Sequence, residues 1–155
     1  MSGPYIYSAV IDALAFTTAT DIFECTVTSD APVLFHALEL CQTTDLQDAN
    51  EEVLRIGYYT GATAGSTGTA LTETNYNRVD LPTLSLAVVA NRGTPSSGGT
   101  LRAVHGWNIR VPFEKIWTPE MRPRVDSGED VVTFKLLSAP TDSITISGTL
   151  YWEEL

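Results

Sequence analysis

The chain has 155 residues, and nine Lys and Arg residues against 19 Asp and Glu residues give it a formal net charge of −10. This acidity would repel a phosphate backbone, so general nucleic-acid binding is not expected. Hydrophobic residues make up 43% of the chain and charged residues 18%, which excludes a disordered chain. No apolar run approaches the roughly 20 residues that a membrane-spanning helix needs.

We expect one domain over residues 1–155, because this length is typical of a single folded unit. Met1 to Tyr5 carry neither a basic region nor an apolar one, so no secretory signal is expected.

Alternation of apolar and polar residues predicts strands along most of the chain. The predicted strands cover residues 5–11, 21–28, 33–40, 53–60, 84–90, 101–104, 108–113, 130–137 and 144–152. In the third of these, Leu34, His36, Leu38 and Leu40 are expected to share one face. Residues 84–90 are almost continuously apolar, which is typical of a central strand. The polar stretch 43–52 has room for one short helical turn.

Three loops differ in their composition. Residues 61–69 and 92–100 are rich in Gly, Ser and Thr and poor in apolar side chains, so both loops are expected to be exposed and mobile. The loop at 118–125 is stiffened by Pro119 and Pro123 and carries Arg122 and Arg124.

About eight or nine strands, each with one apolar face, predict an all-β fold that is an antiparallel β-sandwich. The long loops favour Greek-key crossings between sheets, so a jelly roll is predicted. An immunoglobulin-like sandwich is the alternative, but both cysteines precede every tryptophan, which does not fit its core pattern. Cys25 and Cys41 are expected to be buried thiols, with a disulfide between neighbouring strands as the other interpretation.

The sequence predicts no catalytic, cofactor-binding or metal-binding residues. We expect His36, which lies inside a strand, to be structural, and His105 to lie at a turn or an interface. The acidic pairs Glu51–Glu52, Glu129–Asp130 and Glu153–Glu154 are adjacent on strands and therefore point to opposite faces, so they are expected to be solvated charges.

The aromatic residues allow two interpretations. Trp107, Trp117 and Trp152, together with Tyr58 and Tyr59, lie in apolar strands, which favours packing in the core or at a subunit interface. The alternative is an exposed platform on which a sugar stacks.

Several features together resemble the small jelly-roll head decoration or cement proteins of tailed bacteriophages. They are the size, the acidic balance, the Gly, Ser and Thr loops, the stretch 106–113 leading into 117–122, and the end at 147–154. The resemblance implies a non-enzymatic virion protein that is made in the host cytoplasm and sits on the outer capsid surface.

The partners implied by this resemblance are the major capsid protein and the chain itself, in a homotrimer, with no direct contact to nucleic acid or membrane. The candidate interface residues are Trp107, Trp117, Met121, Arg122 and Arg124. Two nearby arginines in an acidic protein fit an acidic partner, although they would also balance Glu120 and Asp126. The alternatives are a carbohydrate-binding jelly-roll module or another virion component, such as a tail, collar or head-fibre protein.

Overall fold

A computed structural model describes residues 5–27, 32–43, 51–78, 80, 85–126 and 131–155. Its strands are β1 (Ile6–Phe16), β2 (Asp21–Thr26), β3 (Val33–Gln42), β4 (Val53–Thr60), β5 (Thr69–Ala70), β6 (Glu73–Asn75), β7 (Val88–Asn91), β8 (Thr100–Asn108), β9 (Phe113–Ile116), β10 (Arg124–Val125), β11 (Val131–Leu136) and β12 (Ile144–Glu154). One short 3₁₀ helix, η1 (Pro119–Met121), follows β9.

The strands form two antiparallel sheets. Sheet 1 has the order β10-β3-β12-β1-β6, and β9 also pairs with β3, while sheet 2 has the order β5-β7-β2-β11-β4-β8. Because β1, β2, β3 and β4 alternate between the sheets, the chain crosses the sandwich repeatedly. The predicted antiparallel β-sandwich is confirmed. The described part of the chain forms twelve strands, so the predicted count of eight or nine is too low. Three of the strands that were not predicted, β5, β6 and β10, are only two or three residues long.

The core lies between the inner faces of the two sheets. Phe134 on β11 contacts Phe35 of sheet 1 edge-on, at 5.4 Å between ring centroids, and stacks on Tyr58 of β4 at 5.3 Å. Trp152 on β12 is fully buried and stacks on Tyr7 of β1. Alternate residues of β4, β11 and β12 point into this core and are buried: Leu54, Ile56, Tyr58, Val132, Phe134, Leu136, Ile144, Ile146, Leu150 and Trp152.

The face predicted for β3 is wrong in its first half. Val33 and Phe35 point into the core, followed by Leu38 and Leu40, whereas Leu34 and His36 are only half-buried. The register between β3 and β12 shifts at this point, where Trp152 faces Phe35 and Tyr151 faces Ala37. A β-bulge adds one residue to β3 and so reverses which side chains point inward.

Three other predicted boundaries differ from the structure. β1 continues to Phe16 because a register shift between Ile11 and Leu14 accommodates the polar Asp12. Residues 101–104 and 108–113 are not two short strands, since β8 runs unbroken through Gly106 and the chain turns afterwards. In the described part of the predicted strand 84–90, β7 begins only at Val88 and lies second from the edge of its sheet, so this strand is not central.

Two predictions fall outside the described residues. Most of the helical turn expected within 43–52 lies there, at residues 44–50, and so does the acidic pair Glu129–Asp130.

The aromatic cluster around Phe134 yields a test of the core. Replacing Phe134 with Ala removes a side chain that is 2% exposed and touches both sheets, and we expect the free energy of unfolding to fall by about 3–5 kcal/mol. Chemical denaturation monitored by tryptophan fluorescence measures this change. Ile116→Ala, at a side chain that is 62% exposed, serves as the control and should change stability by less than about 0.5 kcal/mol. Equal losses in the two variants would contradict this account of the core.

Candidate functional site

A cleft opens between the two sheets on one side of the sandwich. It has a volume of about 490 Å³, and we refer to it as the edge cleft. β8, the last strand of sheet 2, forms one wall, and β9, η1 and β10 at the edge of sheet 1 form the other. The two walls contribute Tyr58, Thr60, Arg102, Ala103 and His105 on one side and Lys115, Trp117, Met121, Pro123, Arg124, Val125 and Asp126 on the other.

The edge cleft gathers positive charge in an acidic protein. Arg102, Lys115 and Arg124 line it, which is three of the nine basic residues of the chain, and Asp126 is the one acidic residue among the described side chains that line it. The Nε atom of Arg102 donates a hydrogen bond to Thr60 Oγ1 at 2.9 Å, which holds this guanidinium against the wall. Arg124 pairs with Asp126 at 2.9 Å, where both side chains are more than half exposed. The pair therefore sits at the rim.

His105 lies on the same wall and responds to this charge. Burial lowers the pKa of His105 below its usual 6.5, and the positive charge of Lys115 lowers it further. The imidazole is therefore neutral at physiological pH. The His105 ring also lies beside the ring of Phe113, with 6.1 Å between the ring centroids.

The floor of the cleft is aromatic and rigid. Tyr58 and Trp117 are each 7% exposed, and both pack on Phe134, which belongs to the core. A floor that is continuous with the core cannot rearrange without disturbing it, so the shape of the cleft is set by the fold.

The structure brings together some of the predicted interface residues. Trp117, Met121 and Arg124 line the edge cleft, and Met121 is 70% exposed. Arg122 lies instead in a groove on the outer face of sheet 1, where its Nε atom is buried and has no hydrogen-bond partner among the described residues. Trp107 is 2% exposed, and its Nε1 atom donates to the carbonyl of Val111 at 2.8 Å, so it is a core residue and not a surface contact.

The sugar-stacking platform built from tryptophans is wrong. Trp107, Trp117 and Trp152 are all at least 93% buried, and Tyr58 is buried as well. Their positions in apolar strands place them in the core, which is the other interpretation that the sequence allowed.

An apolar surface lies on the outer face of sheet 2. Val53, Leu101 and Val104 are 65%, 45% and 47% exposed, and together with the half-buried Tyr59 and Leu137 they form what we call the outer patch. The pairing of β4 with β8 places Tyr59 opposite Leu101, and Leu101 and Leu137 approach each other over Gly57. Leu101, Val104, Tyr59 and Leu137 thus surround Gly57, while Val53 lies on the same face beyond the exposed Arg55. Clustered exposed apolar side chains of this kind mark contact surfaces.

The two Gly-rich loops were predicted to be exposed and mobile because they hold few apolar side chains, but the structure joins them to each other. Their backbones bridge one another at Thr63 with Ser97 and at Ser66 with Thr94. Most of their residues are exposed, but Ser96 is 4% exposed. Hydrogen bonds, rather than apolar side chains, join the loops, and hydropathy alone gives no signal for that.

A buried charge cluster on sheet 2 fastens these loops. Asp21 is fully buried and accepts hydrogen bonds from Ser96 N at 2.6 Å and Ser96 Oγ at 3.0 Å. Glu24 accepts from Gly65 N at 2.6 Å and from Arg92 Nε at 2.7 Å. Burial raises the pKa of Asp21, while the bonds from Ser96 oppose that rise. Sequence reasoning missed this cluster, although two acidic residues in a β2 pattern rich in apolar residues were the available signal.

His36 and Glu154, which the sequence singled out, also have hydrogen-bond partners. His36 Nε2 lies 3.0 Å from Glu153 Oε2, as expected for a structural histidine. Glu154 is not a solvated charge, because its carboxylate accepts from Ser85 Oγ at 2.7 Å and from the backbone N–H groups of Leu86 and Ala87. Cys25 is a buried free thiol and Cys41 a half-buried one, so the disulfide interpretation is wrong.

Within the described ranges, no group of three or more His, Cys, Asp or Glu side chains is arranged to hold a metal ion. The described residues also include no helix that is long and apolar enough to cross a membrane. No family model, curated protein or solved structure matches this chain.

The buried ion pair gives a prediction about loop attachment. Glu24→Gln removes the charge that faces Arg92 in a site where the Glu24 side chain is fully buried, and we expect a loss of about 3 kcal/mol in the free energy of unfolding. Asp126→Asn also removes one carboxylate charge, but from the exposed pair with Arg124, and should cost less than about 1 kcal/mol. Urea denaturation of both variants measures the difference. Similar losses would show that the loops are not fastened by Glu24.

The charge of the edge cleft gives a prediction about pH. Because folding lowers the pKa of His105, the unfolded chain binds this proton more tightly, and the His105 contribution to stability is lost as the pH falls below 6.5. An NMR titration should place the His105 midpoint below 6.5, and Lys115→Gln should raise it. The control Arg78→Gln removes the same charge beside Tyr5, outside the cleft, and should leave the midpoint unchanged. An unchanged midpoint in Lys115→Gln would contradict the assigned charge effect.

Proposed function

We propose that this protein is a non-enzymatic structural component of a virion, which binds as a homotrimer to the major capsid protein on the outer surface of a bacteriophage head. The observation that carries the proposal is the outer patch, where Val53, Leu101 and Val104 present apolar side chains to solvent. Such a surface supports association with a neighbouring subunit, since burying it removes apolar area from water. The resemblance in size, charge and sequence features supplies the virion setting.

The strand order supports a jelly-roll interpretation of the sandwich. β1, β12, β3 and β9 lie side by side in sheet 1, and β2, β11, β4 and β8 lie side by side in sheet 2. In each sheet, a strand from the C-terminal part of the chain therefore separates two strands from the N-terminal part. Eight strands wound as two Greek keys produce this kind of interleaving.

The distribution of polar groups supports a structural role over catalysis. Asp21, Glu24, His36, Glu153 and Glu154 are each held by hydrogen bonds that join strands or loops. A nucleophile, a general base and an orienting group would have to converge on one cavity. His105 in the edge cleft faces cations and an aromatic ring, which supports binding rather than proton transfer.

The proposal predicts where the protein is found and what disrupts it. Electron microscopy of particles purified from the source of this sequence should show the protein on the outside of the head, and sedimentation equilibrium should give a mass of three 16.8 kDa chains. Density confined to a tail or collar, or a strictly monomeric protein that never co-purifies with particles, would overturn the proposal.

A substitution in the outer patch tests which surface makes the contact. Val104→Glu introduces a charge into the patch. We expect the variant to bind to particles that lack this protein, or to assemble into the trimer, with an affinity about tenfold or more lower. Val111→Glu is the matched control, because Val111 is 57% exposed but lies in the turn after β8. If both variants weaken binding equally, or if neither does, the outer patch is not the contact surface.

A further inference from the structure

Both sheets end beside the edge cleft. Among the described residues, β8 has β4 as its one pairing partner, and β9 and β10 pair with β3 alone. An edge strand presents backbone N–H and C=O groups on its outer side that are available to another strand. β8 has nine residues, which is long for a strand left at an edge.

The two faces of β8 differ in chemistry. Leu101 and Val104 belong to the outer patch, whereas Ala103 and His105 line the edge cleft, across which Lys115 and Arg124 lie. A strand added to β8 would continue sheet 2, and its side chains would point alternately to these two faces. One set would meet apolar side chains, and the other would meet cations.

The geometry points to a peptide-binding site, in which an extended segment of a partner protein, alternating acidic and apolar residues, pairs with β8 and places its carboxylates in the edge cleft. The backbone would supply most of the affinity, and the alternation of side chains would supply the specificity. Charge complementarity favours an acidic segment, because the described residues that line the cleft include the cations Arg102, Lys115 and Arg124 and one carboxylate, that of Asp126.

This site goes beyond the proposed virion role. It uses the edge of β8 and the cleft cations, and it stands whether or not the partner is a capsid protein. Its test employs synthetic peptides, so a failure of peptide binding and a failure to find the protein on particles are separate results.

The experiment titrates the full-length, ¹⁵N-labelled protein with a nine-residue peptide, the length of β8, that alternates glutamate and valine. We expect saturable NMR shifts of the β8 amides, slowed amide exchange in that strand, and weaker binding at high salt. A peptide of the same composition with its glutamates and valines in separate blocks, and one that alternates lysine and valine, should bind more weakly. Equal binding of either control peptide would overturn the proposal, as would the absence of shifts in β8.

Citrate distinguishes strand addition from general anion binding. At a concentration that supplies as many negative charges as the peptide does, citrate should neither reproduce the β8 shifts nor displace the alternating peptide. If it does, the cleft recognises negative charge without a strand, and the proposal is wrong.

Cleft variants provide the second measurement. Lys115→Gln should lower the affinity for the alternating peptide by about fivefold. Arg78→Gln makes the same change in net charge outside the cleft and should leave that affinity unchanged. Arg124→Gln, at a side chain 56% exposed on the rim, replaces Lys115→Gln if the latter fails to give a native spectrum. Equal effects of cleft and control variants would overturn the assignment of the cleft.

Discussion

The structure depends on the burial of two apolar sheet faces against each other. Phe134 shows this directly, because its ring touches Phe35 in the opposite sheet and also Tyr58 and Trp117 at the floor of the edge cleft. The contact that holds the sheets together therefore also shapes the floor of the edge cleft. The sandwich buries the inner face of each sheet, and the Gly-rich loops cover Asp21 and Glu24 of sheet 2, so the outer patch and the open edges remain for other contacts.

Those remaining surfaces have different characters. The outer patch is apolar, whereas the edge cleft is cationic with an aromatic floor. They share the strand β8, whose neighbouring residues Val104 and His105 point to opposite sides. One strand therefore contributes to two surfaces of different chemistry.

The sequence predicted the sandwich, because a period of two is visible wherever a strand is regular. It failed at the bulge in β3, where one extra residue reverses the phase and composition gives no sign of it. Trp117, Met121 and Arg124 were interface candidates and line one cleft, but nothing in the sequence indicated that Arg102, His105 and Lys115 lie in the same cleft. Those residues are brought together by the approach of two sheet edges, and no local pattern records which edges meet.

The attachment of the Gly-rich loops has a consequence for motion. If the loops lifted from sheet 2, the carboxylates of Asp21 and Glu24 would lose the donors of Ser96, Gly65 and Arg92 while still lying against the sheet. Lifting the loops would expose these carboxylates to water, but it would break several charge-assisted hydrogen bonds at once, so opening costs free energy. Since the two loops are also joined to each other, we expect them to open together, and their amide hydrogens should exchange more slowly than those of a free loop.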